Sequence, residues 1–224
     1  MRLQLEYNIM HFTVNTVFHI YNQGNNRQQV FFQDENYLFF LKKMREYLLP
    51  YGDLLCYCLM PNHFHWLMYV RQVEMDRSEA IAQRSRLTTL SATKSDGVKS
   101  PPEALPDSKK RSLNDSIAIL LRSYTRAINI QEDRSGSLFR KETKAKGGWE
   151  DIYLPPSHPD YGKLLQNWEL YGLTCFNYIY NNPIEAKLVA NAEDWPYCSA
   201  PDFAGLRKGS LCNQDLAREL LFLK

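Results

Sequence analysis

An α+β fold is predicted by three features of the sequence. Runs rich in β-branched and aromatic residues occur at 11–20 (HFTVNTVFHI), 53–60 (DLLCYCLM) and 63–70 (HFHWLMYV). A helical stretch, ENYLFFLKKMREYLL, separates the first run from the second. Another, LNDSIAILLRSYTRAINI, is amphipathic and follows the third.

Taken in order, the first run reads as a strand and YNQGNNRQQVFF as a polar loop after it. Asp34 is placed to cap the first helix, which Pro50 and Gly52 stop. PNHF makes a short connection between the second and third strands. Residues 75–112 read as a flexible insertion, since SATKSDGVKSPPEALPDSKKRS is polar, rich in proline and without a sustained period. QEDRSGSLFRKETKAKGGW reads as a basic loop or hairpin, and PPSHPDYGK as a turn-rich loop. LLQNWELYGLTCFNYIYNN reads as a long helix closed by Pro183, and NQDLAREL as a short terminal helix. A helix, a hairpin and a second helix around an antiparallel sheet suggest the ferredoxin-like kind of α+β fold, with the helices expected on one face.

Bulk properties narrow the function classes. A net charge of +2 on 224 residues argues against a polybasic packaging protein and leaves room for local basic patches. Five cysteines without framework spacing read as thiols. Cys56 and Cys58 lie in an apolar strand and are expected to be buried, which points to a reducing compartment. MRLQLEYNIMHFTV lacks the apolar centre and small-residue cleavage site of a secretory signal. No apolar run approaches the length of about 18 residues that a membrane span needs.

Two short stretches carry chemistry. In MPNHFHWLMYV, His63 and His65 are two residues apart on a strand, so both imidazoles share a face and can share one divalent cation. Phe64 and Trp66 then face the other, apolar side. The same pattern also suits two half-exposed strand histidines. In FNYIYNNPIEA, Tyr178 and Asn182 are four apart and share a helix face, whereas Tyr180 and Asn182 lie about 200° apart. Pro183 disfavours helical geometry at Asn182, so the helix is expected to end there with the amide oxygen free to meet a metal. An aromatic core helix with an Asn cap fits these residues too.

Together, MPNHFHW, YIYNNPIEAKLV and WPYCSA resemble the single-tyrosine HUH (His, hydrophobic, His) transposases, and within them the REP-associated tyrosine transposases. The resemblance spans about residues 8–203. It implies a single ferredoxin-like catalytic domain over 1–203, interrupted by the insertion at 75–112, and a tail at 204–224. It implies that His63 and His65 are the histidine pair, Tyr178 the catalytic tyrosine, and Asn182 the amide completing a site for Mg²⁺ or Mn²⁺. It also implies single-stranded DNA with hairpins as the partner, a monomer rather than a homodimer, no membrane, and a bacterial cytoplasm with the nucleoid as the location. SYTRAIN and GSLFRK are similar to the family's middle segment, which helps to hold DNA. Tyr180 and Asn181 depart from the commoner pattern, which has His and an apolar residue there.

A phenol is a weak nucleophile at neutral pH and a phosphodiester resists attack, so a cation beside both is chemically apt. Arg122, Arg126, Arg134, Arg140, Lys141 and Lys144 are the expected contacts to DNA phosphates. Tyr124 is a rival nucleophile that lacks an amide four residues on, where Ile128 stands. Two other functions stay open at this point. One is a DNA-hairpin-binding protein derived from such a transposase and lacking catalysis. The other is a metal-dependent hydrolase in which His11, His19 or His158 enlarges the ligand set.

Overall fold

β1 spans Thr16–Gln23, α1 Asp34–Tyr47, β2 Gly52–Met60 and β3 His63–Val70. β4 (Glu74–Asp76), α2 (Arg77–Ser91) and β5 (Lys110–Ser112) come next, then α3 (Leu113–Gln131), β6 (Lys144–Gly147) and α4 (Tyr161–Glu185). α5 (Ala200–Phe203) and α6 (Gln214–Leu221) follow. These elements come from a computed structural model that describes residues 10–91, 109–147 and 161–223.

Four strands form one antiparallel sheet in the order β2-β3-β1-β6. With α1 and α3 as crossovers, this is the βαββαβ order of a ferredoxin-like α+β fold. Three of the four strands match the sequence reading. β1 starts only at Thr16, because Asn15 takes a left-handed φ of 58°, and it runs on to Gln23. The fourth strand, KAKG, falls in the stretch whose sequence reads as a basic loop or hairpin. It has no β-branched residue, and its lysines suit an edge that must not pair with other chains.

Alternation along the strands builds two cores. Phe18 and Ile20 of β1 and Phe64, Trp66, Met68 and Val70 of β3 face α1 and α3. Val17, Cys56, Cys58, Met60 and Leu67 face α4 and α6. A bulge between Leu54 and Cys56 sends Leu54 to the first core and both Leu55 and Cys56 to the second. The expectation of helices on one face therefore holds for the two crossovers and fails for α4 and α6. One face of β3 is wholly apolar (Phe64, Trp66, Met68 and Val70), and the other carries Leu67 and the half-buried Tyr69 beyond the two histidines, so both need a cover.

Much of the expected insertion is regular structure. β4 pairs with β5, and α2 packs on α1. Met75 and Ala80 are buried, and Arg84 pairs with the buried Glu46 of α1 at 3.2 Å. The remaining part, 92–108, lies outside the described residues, as does His158. Asp34 falls in the first turn of α1 rather than at its cap, where Gln33 stands and donates its N–H to Asn36 Oδ1 at 3.2 Å.

The free edge of β2 is closed by the C-terminal segment. Leu59 N–H donates to Tyr197 O at 2.9 Å, Ser199 N–H to Tyr57 O at 3.0 Å, and Trp195 Nε1–H to Leu59 O at 2.9 Å. WPYCSA thus serves as an edge cover. α6 docks on α4 at Gly172, where a Cβ would fall 2.7 Å from Leu221 Cδ2. All five cysteines are buried free thiols. Among the described residues, no helix is long and apolar enough to cross a membrane.

Phe40 sits at the centre of the first core, with ring centroids 4.8 Å from Tyr124, 5.1 Å from Phe31 and 5.4 Å from Phe64. Phe40→Ala is expected to cost about 3–5 kcal/mol. Urea unfolding should show a lower midpoint at unchanged slope; an unmoved midpoint would deny this cluster its role.

Candidate active site

β3 contributes two histidines to the α4 side of the sheet. His63 is half-buried and His65 is 5% exposed, with ring centroids 5.0 Å apart. Register puts Tyr21 of β1 opposite His65 and Gln23 opposite His63. On the far side of β1, Lys144 of β6 stands opposite Tyr21.

α4 brings the tyrosine. Its buried stripe runs through Cys175, Phe176, Ile179, Asn182 and Pro183, a helical spacing that pins it to the sheet. Tyr178 borders this stripe and is 42% exposed. Its ring centroid lies 5.2 Å from that of His65, edge to face. Asn182 is 6% exposed and reaches His63. Tyr180 points away, stacks on Phe176 and donates to Glu193 Oε1 at 3.1 Å.

The helix does not end at Asn182. It continues through Pro183 to Glu185. Lys187, at φ 58°, then closes it: Lys187 N–H donates to Ile184 O at 2.8 Å and Leu188 N–H to Pro183 O at 3.0 Å. This is a Schellman ending. Proline costs the helix one N–H and does not stop it: Asn182 and Pro183 are both buried, and the helix ends two residues later, where Ile184 and Glu185 are exposed. Asn182 meets His63 as a helical residue four positions from Tyr178.

Tyr178, His63 and His65 line one cleft of about 220 Å³ with Tyr21, Asn22, Gln23, Arg140, Glu142 and Lys144. A larger groove of about 960 Å³ runs beside it, between α3 and the 132–143 loop. Arg122, Arg126, Arg134, Arg140 and Lys141 line this groove, and Asn22 and Arg140 line both spaces. Of the expected DNA contacts, Lys144 alone belongs to the cleft and not to the groove. The buried Asn22 donates to Thr143 Oγ1 at 2.9 Å and Arg140 O at 3.2 Å, which ties the basic loop to β1.

Burial sets the charge of the histidines. It lowers His65 well below the usual imidazole range, and the neighbouring His19 and His63 add to the effect. His63 is also lowered by burial, with the Asn182 amide working in the opposite direction. His19 falls to about 4, through burial first and then Lys146. Neutral imidazoles keep the lone pairs that a metal needs.

The donors fit a divalent cation. His65 Nε2 is buried without a hydrogen-bond partner, which costs about 1–3 kcal/mol unless something takes its lone pair. His63 Nδ1 meets Asn62 Oδ1 at 2.5 Å, which leaves Nε2 as its other nitrogen, with the Asn182 amide beside the ring. Among the described residues, no group of three or more His, Cys, Asp and Glu is placed to hold a metal. The larger ligand set of the hydrolase reading is thus not assembled there. His11 is exposed ahead of β1, and His19 is engaged with His65.

Tyr124 is no rival. It is fully buried, donates to Val30 O at 2.8 Å, and has its phenol pushed well up by burial. The sequence reading missed Tyr21 and Asn22 and weighed His19 only as a ligand. The signal for His19 and Tyr21 is the alternation of β1, where they share a face with Val17 against Phe18 and Ile20; Asn22 falls on the latter face and has no such signal.

No family model and no curated protein matches the chain. Among solved structures, it matches a REP-associated tyrosine transposase bound to a REP hairpin, at 13% identity over 93% of this chain and 96% of that one, with a TM-score of 0.42. A likeness that distant bears on no residue or activity here.

Two outcomes follow from the burial of these side chains. Tyr124→Phe should lose about 1–3 kcal/mol of stability by stranding Val30 O, read by urea unfolding. In metal-free protein, stability should also fall from about pH 6.5 towards pH 4. Folded His19 resists the proton that the unfolded chain accepts, so acid favours unfolding. A His19→Phe chain should show a shallower slope over that window, and an unchanged slope would contradict the assignment.

Proposed function

We propose that this chain is a single-stranded DNA nuclease and strand transferase of the tyrosine transposase type, cutting near hairpins through a 5′-phosphotyrosine intermediate. One observation carries the reading. Tyr178 of α4 lines one cleft with His63 and His65 of β3, Asn182 reaches His63 from the same helix, and the cleft adjoins a basic groove. Tyr178 is the most exposed of the four, as an attacking group must be.

In this reading Tyr178 attacks the scissile phosphorus. The bond from its phenol oxygen to phosphorus forms and the bond from phosphorus to O3′ breaks. The phenol gives up its proton and the departing 3′ oxygen gains one. A second 3′-OH reverses the step and transfers the strand. The phosphotyrosine keeps the bond energy, so no ATP is needed. His63, His65 and Asn182 would hold Mg²⁺ or Mn²⁺, which when bound supplies Lewis-acid polarisation of the phosphate. Arg140, shared by the two spaces, would steady the strand where it passes from the groove into the cleft. Arg122 and Arg126, one helical turn apart on α3, would meet phosphates further along.

The groove is larger than the cleft and contains none of the four residues, which favours DNA-hairpin binding without chemistry as the second reading.

Covalent trapping separates the two. Labelled single-stranded DNA with hairpins and flanks from the gene's own neighbourhood is incubated with protein and Mn²⁺, then run on a denaturing gel. The adduct should be present in wild type and Tyr124→Phe and absent in Tyr178→Phe and His63→Ala. Salt-sensitive binding with no adduct in wild type would move the assignment to the second reading. Arg126→Ala should weaken binding and lower the slope of log affinity against log salt by about 0.7; an unchanged slope would remove Arg126 from the DNA path.

A further inference from the structure

A second histidine stands behind the first pair. His19 of β1 is 8% exposed, and its Nε2 lies 2.9 Å from Nδ1 of His65. The two rings are 5.1 Å apart between centroids. They are not register partners, since His19 faces Leu67 and Tyr21 faces His65. The contact is a diagonal one across two strands. Tyr21 at 4.9 Å and Tyr178 at 6.0 Å hold the His19 ring in place.

Two neutral imidazoles can share one proton across such a contact in two ways. In the first, His19 Nε2 carries the hydrogen and His65 Nδ1 accepts it. His65 Nε2 must then itself be N–H. That atom is buried without a partner, so the arrangement leaves a buried donor with no acceptor and no lone pair for a cation. In the second, His65 Nδ1 carries the hydrogen and His19 Nε2 accepts it. His65 Nε2 is then a lone pair. Buried N–H groups are seldom left unpaired, which favours the second arrangement. A ligand in the cleft that His65 lines would complete it.

We infer that His19 is a positioning residue: it accepts the Nδ1–H of His65, holds that ring in the Nδ1–H tautomer, and so frees the Nε2 lone pair for a cation. The functional meaning rests on reading His65 as a ligand, whereas the tautomer itself does not. Metal-binding histidines are commonly oriented through their second nitrogen, and losing that partner weakens metal binding by about 10- to 100-fold. His19 cannot ligate through Nε2 as well, since that atom is already committed to His65. An apolar residue would fill the same space and would leave the tautomer of His65 undecided.

The test needs two readouts on the full chain. Long-range ¹H–¹⁵N correlation of histidine-labelled, metal-free wild type at neutral pH reads the ring tautomers. His65 should be protonated at Nδ1, and His19 Nε2 should be bare. Binding of Mn²⁺ alone, followed by electron paramagnetic resonance, is then compared in wild type, His19→Phe and His19→Gln. His19→Phe should bind about 10- to 100-fold more weakly. His19→Gln carries a carbonyl oxygen near the place of Nε2 and should recover most of the loss. An Nε2–H tautomer at His65 in wild type overturns the inference whatever Mn²⁺ does, and needs no variant to fold. Equal Mn²⁺ affinity in wild type and His19→Phe overturns it as well. A wild type that fails to bind Mn²⁺ while keeping the Nδ1–H tautomer upholds the His19 assignment and removes the cation site instead.

Discussion

Burial of β3 on both faces is the constraint on which the rest of the molecule depends. A strand shows alternate side chains to opposite sides, so one run of eight residues feeds two cores. Phe64, Trp66, Met68 and Val70 close against α1 and α3. Leu67 closes against α4. His63 and His65 continue the Leu67 face toward the start of the strand, where the apolar contact gives way to the cleft. If the sheet were covered on one side alone, the histidines would lie on an open surface and no helix would stand over them. The second layer is therefore what turns a His-x-His strand into a site.

That second layer is held in turn by features remote from the chemistry. α4 is located by its apolar stripe, by the approach of α6 at Gly172, and by the closed edge of β2. Asn182 and Pro183 are the last buried residues of that stripe, and because the helix runs on to Glu185, Asn182 keeps its helical relation to Tyr178. Four residues in two elements then converge with no loop between them. Sites on regular elements are held more tightly than sites on loops.

The basic groove is attached by a different device. The turn after β1 is a polar cradle. Asn25 N–H and Gln28 Nε2 both donate to Leu138 O, at 3.0 and 2.9 Å, and Arg140 N–H donates to Gln23 O at 2.9 Å. Gly24 lies so close to this turn that a Cβ would fall 2.3 Å from Gln28 O. Asn22 completes the attachment from the sheet side. Charge that would otherwise sit on a swinging loop is thereby fixed beside the cleft. The stretch NQGNNRQ, which reads as an ordinary polar loop, owes its composition to these bonds.

What the sequence by itself determined is what short-range geometry governs. His63 and His65 share a face because strands have period two, and Tyr178 is separated from Tyr180 because helices do not. The apolar patterns around α1, α3 and α4 are equally local. Tertiary structure alone decided the rest. KAKG becomes a strand because β1 offers it an edge, and Met75 and Ala80 become core because α1 lies beneath them. His19 meets His65 through the register of two strands whose histidines are 46 residues apart in the chain. α4 takes the second face because Leu67 and the cysteines of β2 need a cover. Periodicity is written in neighbouring residues, but register, face and edge are settled by which distant surfaces bury each other, and no short stretch of sequence contains both partners.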